Sequence, residues 1–249
     1  MPNSSLLTLP PELICQIFES AHDFSTVSAL ARTSRVLYHI WRENPASICR
    51  AVAPRVFPNL TAAERLLDMQ EEAESRVHPP DGREQPSLTR VKRLLSNARC
   101  ASAALHDWVG LFLDLGIEES FRRDDVKGIT PAEKLRFEYA FYYVWTIGVM
   151  GTTPHLLEQA TDMLDTCSPQ ELCRLNELAE WALRYNEGNF GSSGLDLHDE
   201  VWKTGCRLSQ NRWWMYHQDK SVAMPDYTPL NFYAFFDHTQ IYLDWLEDE

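Results

Sequence analysis

Two four-residue signatures set the strongest constraint on what this chain folds into. Thr130-Pro131-Ala132-Glu133 and Ser168-Pro169-Gln170-Glu171 each place a hydroxyl, a proline and a carboxylate at the positions that open an α-helix. The hydroxyl accepts an orphan amide of the first turn, proline pre-sets φ where its missing N–H costs nothing, and the carboxylate reaches back to the cap. They lead into EKLRFEYAFYYVWTIGVM and ELCRLNELAEWALRYN, with TTPHLLEQATDMLDTC predicting another helix between them. The β-rich FYYVW lies inside a capped helical pattern, and no strand pattern competes. The two starts are 38 residues apart, as a helical repeat would be, but the sequences after them do not match and no solenoid is assigned. The expected fold class is all-α: a short three-helix module followed by an irregular helical domain.

The module is read from the first 57 residues. After Pro10 and Pro11, ELICQIFESA puts apolar residues at 13, 14, 17, 18 and 21, one stripe on a helix that starts on proline. Asp23, Ser25 and Thr26 offer caps for a second helix with Val27, Leu30 and Ala31. Ser34 precedes a third with Val36, Leu37, Ile40 and Trp41. A segment this short covers little of its own apolar surface, so it needs a partner or the rest of the chain. From 58 to 249 the pattern lengthens. Thr61 and Glu64 suggest a capping box, HPPDGREQPS a turn or loop, and Ser87 the start of a long amphipathic run through Trp108 and Phe112. After Tyr185 regularity is lost: NEGNFGSSGLDLHDE reads as a loop, and VWKTGCRLSQNRWWMYHQ as an aromatic stretch. The final NFYAFFDHTQIYLDWLEDE puts Phe232, Phe235, Phe236, Ile241, Tyr242 and Trp245 on one helical face that docks on the core.

The run Leu9-Pro10-Pro11-Glu12-Leu13-Ile14-Cys15-Gln16-Ile17-Phe18, followed by Leu30-Ala31-Arg32-Thr33-Ser34-Arg35 and Tyr38, resembles an F-box. The likeness covers about residues 6–50. HIWRENPASI, with the later TPAEKLRFEYAFYYVW and SPQELCRLNELAEWAL, is similar to the F-box-like proteins of filamentous fungi. Many F-boxes carry Trp, Val and Leu where this chain has Tyr38, Thr33 and Ala21, and Trp41, one turn on, offers a substitute anchor. The resemblance implies binding to a Skp1-like adaptor and through it to a cullin, with the remainder of the chain capturing an unknown protein substrate. That is the role of a non-catalytic substrate-recognition subunit of a ubiquitin ligase, in the cytoplasm or nucleus. The partner-binding residues implied are Leu9, Pro10, Leu13, Ile14, Ile17, Phe18, Leu30, Val36, Tyr38 and Trp41. An F-box-like scaffold acting outside a ligase is the nearest alternative. No WD40, leucine-rich or kelch period specifies a capture surface.

Charge narrows the partners further. The chain has 23 Lys+Arg against 36 Asp+Glu, net −13. Residues 1–57 carry five Arg against four acids, whereas residues 126–249 carry 9 basic and 19 acidic side chains. Duplex nucleic acid is held mainly by Lys and Arg, so nucleic acid is not an expected partner. The basic Arg90, Lys92, Arg93 and Arg99 read as a solvated helix face. No stretch reaches the roughly 18–20 apolar residues of a bilayer span, so no membrane association is expected. The six cysteines form no CxxC pair and are expected as free thiols. An enzyme reading rests on His198, Asp199, Glu200, His217, Asp219, Asp237 and His238, whose spacing matches no catalytic or metal-binding motif. No catalytic residue, metal or cofactor is therefore expected. RWWMYHQ offers Arg212, Trp213, Trp214 and Tyr216 as a substrate surface, since Trp, Tyr and Arg are the usual interface anchors.

Overall fold

Side-chain caps set the helix starts. Asp23 Oδ1 accepts the Thr26 amide at 2.7 Å, and Ser34 Oγ accepts the Leu37 amide at 3.2 Å. Both cap residues are extended, the backbone geometry a cap requires. In the computed structural model, which describes residues 8–75, 86–114, 129–184, 200–220 and 233–236, all ten regular elements other than a 3₁₀ turn are α-helices, and no strand occurs among the described residues. They are α1 (Pro11–Glu19), α2 (Phe24–Thr33), α3 (Arg35–Glu43), α4 (Pro45–Val56), α5 (Leu60–Ser75), α6 (Pro86–Asp114), α7 (Pro131–Thr152), α8 (Leu157–Asp165), α9 (Pro169–Arg184) and α10 (Glu200–Lys220), followed by the 3₁₀ turn Tyr233–Phe235. Two compact units divide the chain: Met1–Leu60 with Pro80–Ser96, and Thr61–Pro79 with Asn97–Glu249.

In the first unit, α1 packs on α3 and α4, and α2 on α3. Ile14, Phe18, Ala21, Val27, Ala31, Leu37, Ile40, Ile48 and Val52 form its core. Ile48 and Val52 come from α4, a fourth helix where three were expected. Pro45 occupies its first turn, where proline is tolerated. Pro54 falls in its last turn, where two prolines nine residues apart hide a helix from sequence reading. Phe24 and Phe57 close the other side, their rings 6.2 Å apart.

The second unit is built around α7. Phe137, Ala140, Phe141, Tyr142, Tyr143, Val144, Ile147, Val149 and Met150 are all buried, so from Phe137 to Met150 this helix is covered on every side. The capping boxes expected at Thr130 and at Ser168 both form. Thr130 Oγ1 accepts the Glu133 amide at 3.2 Å while Glu133 Oε2 accepts the Thr130 amide at 2.7 Å; Ser168 and Glu171 do the same at 3.2 and 2.9 Å. The helix α5 starts at Leu60, so Thr61 lies in its first turn. The stretch expected to be irregular at VWKTGCRLSQNRWWMYHQ is instead the 21-residue α10.

What lets α10 reach α7 is a pair of glycines. A Cβ on Gly148 would lie 2.1 Å from the Val201 carbonyl oxygen, and one on Gly205 would lie 2.2 Å from that of Val144. The two backbones touch at these points, which no other residue permits. The expected C-terminal face is described only through Phe236. There Phe235 and Phe236 are buried in and beside a 3₁₀ turn; Phe232, Ile241, Tyr242 and Trp245 lie outside the described residues, as do most of the loops expected at 78–87 and 186–200, whose last residues, Pro86, Ser87 and Glu200, are helical. Among the described residues no helix is long and apolar enough to cross a membrane.

Candidate partner-binding surface

Helical geometry divides the apolar residues of α1 into two stripes. Ile14 and Phe18, one turn apart, point into the module and are 1% and 0% exposed. Leu13 and Ile17, also one turn apart, lie about 100° round the helix from them. Leu13 is exposed and Ile17 half-buried, continuing the exposed Leu9 and Pro10 that precede the helix. The same division recurs on α3. Leu37 and Ile40 are buried, whereas Val36 and Tyr38 are exposed and Trp41 packs partly against the core. The Tyr38 and Trp41 rings are 5.7 Å apart. Leu30, on α2, is likewise half-buried against the core.

Of the ten residues expected to meet a partner, Ile14 and Phe18 are therefore interior. Leu9, Pro10, Leu13, Val36 and Tyr38 are exposed, and Ile17, Leu30 and Trp41 lie between. The four large hydrophobics among them, Leu9, Leu13, Val36 and Tyr38, are 37–49% exposed. Both α1 and α3 therefore leave large apolar side chains outside the module's core. Arg32, Arg35 and Arg42 are also exposed, on α2 and α3.

The platform is fixed by contacts that sequence reading missed. Arg55 Nη1 donates to the carbonyl oxygens of Glu19 and Ala21 at 2.6 and 2.9 Å, closing the C-terminal end of α1 from α4. Ser47 Oγ donates to the Glu19 carboxylate. A cation on the last carbonyls of a helix both satisfies them and complements the helix dipole. Arg55 had no visible signal beyond its charge, because its role depends on α4.

The expected substrate surface on α10 is not one surface. Trp213 is buried and its ring stacks with that of Tyr216 at 6.0 Å; Trp214, 67% exposed, and the exposed Met215 point away. Arg212 Nε is 3.0 Å from Asp165 Oδ1, an ion-pair distance without hydrogen-bond alignment. Adjacent aromatics on a helix diverge by about 100°, and here that separates core from solvent.

Of the acid/base set, only Glu200 has a described side chain. It is exposed beside Lys203 (4.0 Å) and Arg207 (3.8 Å). Among the described residues no group of three His, Cys, Asp or Glu could hold a metal. A recess lined by Tyr139, Tyr143, Glu171 and Arg174 holds about 200 Å³ including its opening to solvent, below the usual range of ligand pockets. Next to it Cys167 Sγ donates to Tyr143 Oη at 3.3 Å, and burial pushes the thiol up to about 11, leaving it protonated at neutral pH.

Compared with protein-family models, with curated proteins and with solved structures, the chain matches none.

Proposed function

We propose that the chain is a non-catalytic adaptor: the N-terminal module docks on a Skp1-like protein, and through it a cullin, while the helical unit captures a protein substrate for ubiquitin transfer. The observation that carries this reading is that Leu9, Leu13, Val36 and Tyr38 stay exposed outside a core formed without them. These residues belong to the set that the F-box likeness implies for adaptor contact. The exposed arginines of α2 and α3 suit a partner carrying acidic groups, an effect on association rate more than on affinity. A cytoplasmic or nuclear location goes with this reading.

Binding of the purified chain to Skp1, measured by calorimetry, tests it. The wild type is expected to bind one to one. The double variant Leu13→Asp/Val36→Asp is expected to lose at least about 2 kcal/mol of binding, some thirtyfold, since anchors at an interface centre contribute on that scale. Both substituted side chains are exposed, so the circular dichroism and melting curve should stay as in the wild type. A wild-type chain that does not bind Skp1, or a double variant that binds unchanged, overturns the reading.

A further inference from the structure

Within the second unit, a short piece of chain sits among α6, α7 and α9 in the manner of a bound peptide. The Ala234 amide donates to Glu177 Oε2 at 2.9 Å, the Ala234 carbonyl accepts from Arg174 Nε at 3.1 Å, and the Phe235 carbonyl accepts from Arg136 Nε at 2.9 Å. The Phe235 and Phe236 rings each lie 5.5 Å from that of Trp108, on α6, and Phe235 is also 5.5 Å from Phe137, on α7. Ala234 and Phe235 are fully buried.

Two features set this apart from ordinary core filling. First, three charged side chains act on main-chain atoms of two consecutive residues, and main-chain contacts with aromatic pockets beside them are how folded domains recognise short peptides. Second, Glu177 is 2% exposed, and a carboxylate in the interior is strongly disfavoured unless its partners are in place. Aliphatic side chains would fill the same space without that cost. The arrangement demands a guest with an amide, two carbonyls and two rings at fixed spacing.

We propose that this groove is a recognition site for a short segment consisting of a small residue followed by two aromatics, occupied in the free chain by its own Ala234–Phe236, and that a protein partner presenting such a segment exchanges with it. Emptying the groove would take the Ala234 amide from Glu177 and expose Trp108 and Phe137 to water, so one segment replaces another in a single exchange. Nothing in this depends on what the N-terminal module binds.

The probe is a fluorescently labelled peptide of residues 231–238, Asn-Phe-Tyr-Ala-Phe-Phe-Asp-His, added to the full chain. The variant Phe235→Ala/Phe236→Ala, which vacates the ring pockets, is expected to bind it one to one and at least tenfold more tightly than the wild type, whose own segment competes. Methylating the peptide's alanine nitrogen removes the donor to Glu177 and is expected to weaken binding at least tenfold. A variant that remains helical and melts cooperatively but does not take up the peptide overturns the proposal, as does equal binding of the methylated peptide. Should the variant not fold, the wild-type chain carrying a protease site between Pro225 and Asp226 replaces it. After cleavage the peptide is expected to displace the severed fragment, and a fragment that never exchanges overturns the proposal. Since none of these readouts involves Skp1, failure here leaves the adaptor reading standing, and the reverse also holds.

Discussion

The two units handle apolar surface in opposite ways. In the first, short helices of 9 to 12 residues enclose a small core, and the apolar side chains of Leu9, Leu13, Val36 and Tyr38 are left outside it. In the second, α7 is enclosed by its neighbours from Phe137 to Met150, and even a non-helical segment, Ala234–Phe236, is drawn into the interior. Apolar residues in excess of what the first core holds point outward, whereas the second unit draws extra chain into its interior. The difference teaches that hydrophobic content alone does not locate an interface. What locates it is the balance between the width of an apolar stripe and the area its neighbours can cover.

The largest effects should separate the two stripes of α1. Phe18→Ala removes a fully buried ring at the centre of the module's core and is expected to cost about 3–5 kcal/mol, enough to unfold the module. Leu13→Ala, five residues earlier on the exposed stripe, should change stability by less than about 0.5 kcal/mol. Urea denaturation followed by circular dichroism measures both. If Leu13→Ala costs as much as Phe18→Ala, the stripe is core and the contrast between the units disappears.

A comparable test of the second unit uses its glycines. Gly148→Ala would drive a methyl into the Val201 carbonyl, which is backbone and cannot rotate aside, so α7 and α10 must separate. The expected loss is about 3 kcal/mol, at the upper end for overpacking. Gly110, on α6, has nothing within 4 Å of where its Cβ would be. Gly110→Ala should therefore stabilise the helix by roughly 0.5–1 kcal/mol through backbone entropy alone. The same substitution with opposite signs, read from denaturation midpoints, sharpens the claim that the second unit is limited by close approach. Equal shifts would break it.

How much of this was legible beforehand follows from what each signal is made of. Caps are local chemistry: Asp23, Ser34, Thr130 with Glu133, and Ser168 with Glu171 each announced a helix start that the fold contains. Periodicity gave α1 its apolar width but not its orientation, because Ile14 and Leu13 are equally apolar and only packing on α3 and α4 decides which turns inward. The helix α10 escaped notice since Gly205 and Ser209, both buried, and the neighbouring Trp213 and Trp214 break the apolar pattern; their places follow from contact with α7, a tertiary fact. The clamp of Arg136, Arg174 and Glu177 on Ala234 and Phe235 joins residues 57 to 99 apart in sequence, with no motif to link them.

The smallest predicted effect bears on how firmly the exposed stripe is presented. Asp23 caps α2 with a carboxylate, where Ser34 caps α3 with a hydroxyl. The Thr26 amide, and after it the Ser25 hydroxyl, hold the Asp23 carboxyl below its ordinary value. A carboxyl whose pKa is lower in the folded than in the unfolded chain adds stability that is complete above the unfolded value and is lost as pH falls through the folded one. Acid should therefore loosen the start of α2, while the cap of α3 has no charge to lose. Amide hydrogen exchange at Thr26, followed from neutral pH down through the carboxylate range, is expected to lose protection, with Leu37 retaining its own. Asp23→Asn keeps an acceptor for the Thr26 amide and removes the charge, so its protection should not change across that range. If Thr26 and Leu37 lose protection together, acid is opening the whole module, and the two caps do not hold their helices independently.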